Sequence, residues 1–182
     1  QKGSPYTEDD TPHPLSIYGQ TKWKGEQAVL GAQPSSIIVR TSGIFGAEGQ
    51  NFLKTMVTLA DSHATLKVVE DQVVAPTYVD DLAAALLWVA ERAAVPGFTE
   101  WGIYHYGGTP SVTWHAFSEY VLKTGFDQGL CQTIPLLIPI TSAQFGRPAA
   151  RPAYSVLSCE RFERTFGCGP SDWHAGVVKT VA

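Results

Sequence analysis

Tyr18 and Lys22 stand four residues apart in the stretch Tyr18-Gly19-Gln20-Thr21-Lys22, just after Pro12 and Pro14. The spacing of apolar and polar residues from Leu15 to Leu30 predicts a helix, which puts the phenol and the ammonium on one face, one turn apart. That pairing has a use in acid–base chemistry. A free tyrosine titrates near ~10 and a fixed neighbouring cation favours the phenolate; reaching about 7 takes roughly 4 kcal/mol of differential stabilisation. A phenol tuned in this way passes a proton to a carbonyl oxygen while hydride reaches the carbon. Tyrosine and lysine also meet at this spacing by chance, as a half-buried ring beside a solvated cation. The pair acquires meaning from its surroundings.

Those surroundings read as strands alternating with helices, an α/β class. The helix carrying Tyr18 ends near Gly31, a suitable C′ residue. Ser36 to Arg40 is a β-branched run expected to form a buried parallel strand, and Leu66 to Val69 a second strand. Helices are expected over Asn51 to Ser62 and Val79 to Ala94, the second stopped by Pro96 and Gly97. Gly102 to Tyr106 reads as a strand followed by a Gly107-Gly108 turn, and Thr113 as the N-cap of a helix reaching Lys123. Thr133 to Ile140 holds Pro135 and Pro139, so it is at most an edge strand. Short helices at Cys159 to Phe166 and Asp172 to Val181, opened by Ser158 and Ser171, finish the chain.

The stretch from Lys2 to Glu26 (KGSPYTEDDTPHPLSIYGQTKWKGE) resembles the active-site region of extended short-chain dehydrogenases/reductases, and within them most of all the dTDP-4-dehydrorhamnose reductases. Arg40 to Gly46 (RTSGIFG), Asn51 to Met56 (NFLKTM), Asp71 to Thr77 (DQVVAPT), Gly102 to Tyr106 (GIYHY), Thr113 to Phe117 (TWHAF) and Arg151 to Leu157 (RPAYSVL) continue the resemblance in order. It implies an NAD(P)-binding Rossmann-type fold of parallel strands with flanking helices and a small substrate-binding subdomain. Residues 1–78 would be the remainder of the cofactor domain and 79–182 mostly the substrate-binding part, interleaved with it. The implied reaction is NADPH- or NADH-dependent reduction of a dTDP-4-keto-6-deoxy sugar towards dTDP-L-rhamnose. Tyr18 would be the proton donor and Lys22 would both assist it and hold the nicotinamide ribose.

The Gly-rich strand–turn–helix that receives a dinucleotide pyrophosphate has no counterpart here. Gly43, Gly46 and Gly49 have tempting spacing but follow a late strand, in a context suited to an active-site loop. The family's catalytic Ser or Thr is expected upstream of Gln1. The chain therefore reads as the C-terminal three-fifths or so of a longer enzyme, catalytically silent by itself, its opening residues (QKGSPYTEDD) polar and turn-forming.

By the same resemblance Ser42, Gly43 and Ile44 lie near cofactor or substrate, at the C-terminal end of a strand where open α/β sheets bind ligands. The family usually has Trp where Gly43 stands, which puts the identity of the sugar in doubt. Asn51 and Phe52 open a helix whose N-terminus suits a phosphate, although Phe52 suits core packing equally. Gln72, Pro76 and Thr77 fall in a turn that lines the nucleotide-sugar cleft in the family. Asp80 and Asp81 read as N-caps of the next helix. The planar fork of Arg151 suits a diphosphate or a structural salt bridge. His105 reads as a core or cleft residue, and Trp114 and Trp173 as packing residues. The five histidines share no metal-ligand spacing. The family is described with Mg2+ at a subunit contact, for which no acidic ligands stand out.

Composition sets the remaining bounds. With 182 residues, 44% of them hydrophobic, one globular core is within reach. A net charge of −4 with scattered basic residues argues against nucleic acid. No apolar run approaches the ~20 residues of a membrane span. Cys131, Cys159 and Cys168 are widely spaced, as free thiols in a cytoplasmic protein are. A dTDP-sugar substrate and a homodimer are the partners compatible with this reading. Two other functions compete with it. One is a non-catalytic regulatory subunit like the β subunit of methionine adenosyltransferase, which resembles the same reductase. The other is a related nucleotide-sugar epimerase or reductase.

Overall fold

The computed structural model describes residues 2–146, 149 and 151–181. Helices follow the apolar spacing of the chain. In α2 (Phe52–Ala60) the residues Leu53, Met56 and Ala60 are buried, and in α3 (Val79–Ala93) Leu82, Ala85 and Val89 are. Both sets recur at i, i+3 and i+7, one face of a 3.6-residue helix. In α4 (Trp114–Asp127) the buried set runs from Phe117 to Gly125, and in α7 (Trp173–Val181) from Trp173 to Val181. Side chains close the open N-termini: Asn51 accepts from the Lys54 amide and Thr113 from the Ala116 amide, leaving fewer orphan N–H groups. The first helix, α1 (Ile17–Ala32), is capped by Ser16 but buries none of its residues.

The strands pair two by two. β1 (Ile37–Arg40) runs parallel to β6 (Gly102–His105), with Arg40 opposite His105. β2 (Ile44–Phe45) is parallel to β5 (Thr77–Tyr78), β3 (Thr65–Val69) to β9 (Leu136–Ile140), and β7 (Gly108–Thr109) to β10 (Ser171–Asp172). β4 (Val73–Val74) and β8 (Val112–Thr113) form the one antiparallel pair among the described residues. Two further helices, α5 (Ser142–Phe145) and α6 (Glu160–Phe166), complete the elements.

Two apolar clusters hold these elements together. The larger joins Phe45, Leu53, Met56, Leu66, Val68 and Tyr78 to Phe117, Val121, Trp173 and Val177. Phe117 is its hub, with ring centroids 5.5 Å from Phe45, 5.2 Å from Trp173 and 6.1 Å from Phe52. Aromatic pairs at such separations add about 0.5–1.5 kcal/mol each beyond their burial. The second cluster packs Leu82, Ala85 and Val89 of α3 against Tyr104, Tyr106, Phe162 and Phe166, with Ile37 and Val39 of β1 beside it. Each cluster draws on both sides of residue 78.

Several expectations change. β1 is half-buried throughout: Ile37 and Val39 pack beside the second cluster, and Arg40, at the alternate positions, pairs with Glu26 of α1. Gly31 lies inside α1, which runs on to a C-cap at Gln33. Asp80 and Asp81 are first-turn residues of α3, whose N-cap is Tyr78 without a side-chain bond. Ser158 accepts a 3.4 Å bond from the Glu160 amide, yet the N-cap of α6 is Cys159. At the head of α7 the Asp172 carboxylate accepts from the His174 amide at 3.0 Å. The polar opening segment is anchored: Tyr6 bridges Leu157 and Lys2 pairs with Asp10 at 2.6 Å. Gln1 lies outside the described residues. No helix among the described residues is long and apolar enough to cross a membrane.

Candidate active site

Three of the residues singled out above converge on one cavity. Phe52, Gln72 and Arg151 line a space of about 670 Å3 together with Met56, Leu59, Val68, Trp114 and Ser142. α2 contributes Phe52, Met56 and Leu59 along one face, β3 contributes Lys67, Val68 and Val69, and α5 contributes Ser142, Ala143 and Phe145. Phe52 and Trp114 meet with ring centroids 4.5 Å apart, so Phe52 belongs both to the core and to the cavity wall. An apolar, aromatic lining with a few polar groups is the usual character of a small-molecule site. Arg151 makes no salt bridge among the described residues, which leaves its five donors available.

One wall is fastened by a carboxylate. Asp71 accepts from the Ser142 amide at 2.9 Å and from its hydroxyl at 2.6 Å, while Gln72 Nε2 donates to the same hydroxyl oxygen at 2.8 Å. Both Ser142 donors favour the ionised form, and the Asp71 carboxyl titrates below its usual value for that reason. The same N-terminal end of α5 is closed by a capping box between Thr141 and Gln144. This wall escaped the sequence reading, because one helical turn leaves no periodic pattern; the Thr141-x-x-Gln144 spacing was the signal available.

A second group forms the junction of three loops. Thr77 is fully buried, at 0% exposure. Its hydroxyl donates to the Ser42 carbonyl at 2.8 Å and accepts from the Gly108 amide at 3.3 Å, and its amide donates to the Gly43 carbonyl at 3.1 Å. Gly43 has φ of +61°, and a Cβ there would lie 3.3 Å from the Ala75 oxygen and from the Pro76 Cα. Glycine is the residue that fits such a backbone. Pro76 is fully buried and Ile44 half-exposed. Ser42 Oγ is buried without a hydrogen-bond partner. Asn51 spends its side chain locally: Nδ2 donates to the Gly46 carbonyl at 2.7 Å and Oδ1 accepts from Lys54 at 3.1 Å.

Tyr18 and Lys22 sit on α1, outside the cavity lining. The Lys22 ammonium lies over the Tyr18 ring, 5.5 Å from its centroid, and the ring is 72% exposed. The helix thus places both groups on one face. Next to the loop junction, the Tyr78 phenol donates to Asp80 at 2.6 Å, and this bond, with burial behind it, pushes its titration up to about 12. No group of three or more His, Cys, Asp or Glu side chains among the described residues could hold a metal ion.

Known proteins share this architecture. The chain is 41% identical over 172 residues to the dTDP-4-dehydrorhamnose reductase of Aggregatibacter actinomycetemcomitans, covering 94% of this chain and 58% of that protein. Against the reductase of the same name from Sinorhizobium fredii it is 38% identical over 181 residues, 99% of this chain and 60% of the relative. The chain thus spans about three-fifths of the length of the curated relatives it matches. Among solved structures, a dTDP-4-dehydrorhamnose reductase of Clostridium acetobutylicum superposes with a TM-score of 0.88 at 34% identity, over 100% of this chain and 60% of that one. The Bacillus anthracis dTDP-4-dehydrorhamnose reductase, solved in complex with NADP, gives 0.83 at 31%, over 95% of this chain and 57% of that one. The fold is accordingly the Rossmann-type α/β fold of the extended short-chain dehydrogenases. Residues 1–182 match the RmlD substrate binding domain from end to end, and the chain belongs to that family.

Proposed function

We propose that this chain carries the substrate cavity and the Tyr/Lys pair of an NADPH-dependent reductase acting on a dTDP-linked 4-keto-6-deoxy sugar. The observation that carries the reading is the cavity of about 670 Å3 walled by Phe52, Trp114 and Arg151. Aromatic faces suit a nucleobase, and a guanidinium fork suits a diphosphate. Relatives with 35 to 41% identity bear the reductase name. In this reading residues 1–78 are the remainder of the cofactor domain and 79–182 mostly the substrate part.

Within the reaction Tyr18 Oη donates its proton to the carbonyl oxygen of the sugar, and Lys22 steadies the phenolate left behind. Ser42, Gly43 and Ile44 line the approach to the nicotinamide. The partnerless Ser42 Oγ at the end of β1 fits such a ligand, since a buried hydroxyl without a bond is unfavourable until something pairs with it. NADPH, when bound, supplies the hydride. Asn51 fixes the loop before α2, and Gln72, Pro76 and Thr77 shape the turn beside the cavity. The described residues offer no ligand set for Mg2+, and no step is assigned to it.

The test is NADPH oxidation with dTDP-4-keto-6-deoxy-L-mannose, comparing this chain with a version extended upstream. The extended protein turns over and this chain does not; Tyr18→Phe lowers kcat of the extended protein about 10²–10⁴-fold, the usual worth of a general acid. An extended protein that is inactive but binds a partner protein would instead support the regulatory reading.

A further inference from the structure

The helix that bears Tyr18 and Lys22 has no buried residue, so apolar packing does not fix it. What holds it is polar. Arg40 on β1 donates from Nε to Glu26 Oε1 at 2.9 Å and from Nη2 to Glu26 Oε2 at 2.6 Å, a two-pronged grip on the third turn of α1. Such paired bonds are geometrically specific in a way a lysine cannot copy. The Arg40 and Glu26 side chains are only 20% and 16% exposed, so the pair is not a solvated surface contact.

Arg40 is itself oriented from behind. Its register partner His105 is 1% exposed, and His105 Nδ1 lies 3.1 Å from the Tyr6 carbonyl oxygen. A carbonyl only accepts, so Nδ1 carries the proton, and in the neutral ring Nε2 is left as an acceptor. That acceptor lies 3.4 Å from Arg40 Nη1. The backbone amide of His105 donates to Glu8 Oε1 at 3.0 Å. Arg161 of α6 stands 3.7 Å from Glu8 and 2.6 Å from Asp9. The line of contacts therefore runs from α6 through the opening segment, β6 and β1 to α1.

We propose that Arg40 and His105 are positioning residues for the Tyr18/Lys22 helix: the neutral imidazole aims the guanidinium, and the guanidinium holds α1 at Glu26. The catalytic meaning of this rests on the function proposed above; the mechanical part does not. Protonation of His105 turns Nε2 into a donor facing a donor and sets a second positive charge beside Arg40. Glu8 partly offsets that charge, Arg161 adds to it, and Glu26 and Asp9 are already engaged by Arg40 and Arg161. Burial, the largest influence, lowers the His105 titration below the ordinary 6.5. The grip is complete while the imidazole is neutral and slackens as pH falls through this lowered titration.

Hydrogen exchange of the α1 amides in this chain tests the proposal without any turnover, so its outcome is separate from whether Tyr18 is a proton donor. The amides of α4 serve as the internal reference for global stability. Arg40→Lys and Glu26→Gln each speed α1 exchange roughly tenfold relative to α4. His105→Leu, which has no acceptor, does the same, whereas His105→Gln restores one, keeps protection at pH 7 and loses the acid dependence. Equal protection of α1 in Glu26→Gln and the unaltered chain would overturn the proposal. So would a loss that α1 and α4 share in proportion, or an acid dependence that survives in His105→Gln. Glu26→Gln alters one atom on α1 and keeps the experiment decisive if His105→Leu fails to fold.

Discussion

Thr77 shows how a residue singled out for a cleft can also carry a structural task. Its place in DQVVAPT pointed to a cleft, and the structure puts its hydroxyl at the centre of three loops, bonded to Ser42 and Gly108. Thr77→Val keeps the shape and removes the hydroxyl, taking a partner from the part-buried Ser42 carbonyl and from the buried Gly108 amide, at about 1–3 kcal/mol. Thermal unfolding should show the loss, as a drop of roughly 2–4 °C per kcal/mol for a chain of this size. An unchanged midpoint would mean that these bonds stabilise nothing. The sequence named Phe52, Gln72 and Arg151 because motifs preserve residue types in order. It could not say that Thr77 turns inward or that Asn51 caps α2, because direction is set by backbone angles such as the +61° at Gly43, which a motif does not carry.

At the scale of elements, the longer helices α2, α3 and α4 were legible because their apolar stripes repeat over two turns or more. The two-residue strands β2, β4, β5, β7, β8 and β10 were not, since two residues leave no alternation to detect. These short pairings nevertheless set tight approaches. Gly176 in α7 faces β5, and a Cβ there would lie 2.6 Å from the Tyr78 Cβ and 3.1 Å from the Phe45 ring. Gly176→Ala tests which of two effects wins. Alanine is better in a helix by about 1 kcal/mol, whereas overpacking a filled core costs about 1–3 kcal/mol. The clash is with a Cβ, which cannot swing away, so net destabilisation of about 1–2 kcal/mol is expected in urea titrations. A stabilised variant would show that α7 can shift on β5.

For the whole molecule the telling quantity is surface. The chain exposes 10253 Å2, where size scaling gives about 8,600 Å2 for a folded monomer of 19.7 kDa. The excess of roughly 1,600 Å2 is about twice the ~800 Å2 that one partner gives to a standard interface. α1 contributes to it, burying none of its residues and leaving Ile17 79% and Val29 47% exposed, and β1 adds a strand edge. The Ser36 and Arg40 carbonyls accept from Gly102 and Tyr106 of the β6 side. By the alternation of a parallel ladder the N–H and C=O groups of Ile37 and Val39 then point away from β6, and no described strand pairs with them. Open edges of this kind recruit another strand. The chain is therefore expected to self-associate through β1 and α1, with a light-scattering mass that rises with concentration and changes little with salt, because backbone pairing and apolar burial are not screened. Ile38→Lys, on the same face of β1 as Arg40 by strand alternation, should lower that mass by adding charge next to the edge. A clean monomer at high concentration would instead show that the edge is already closed by the chain's own backbone.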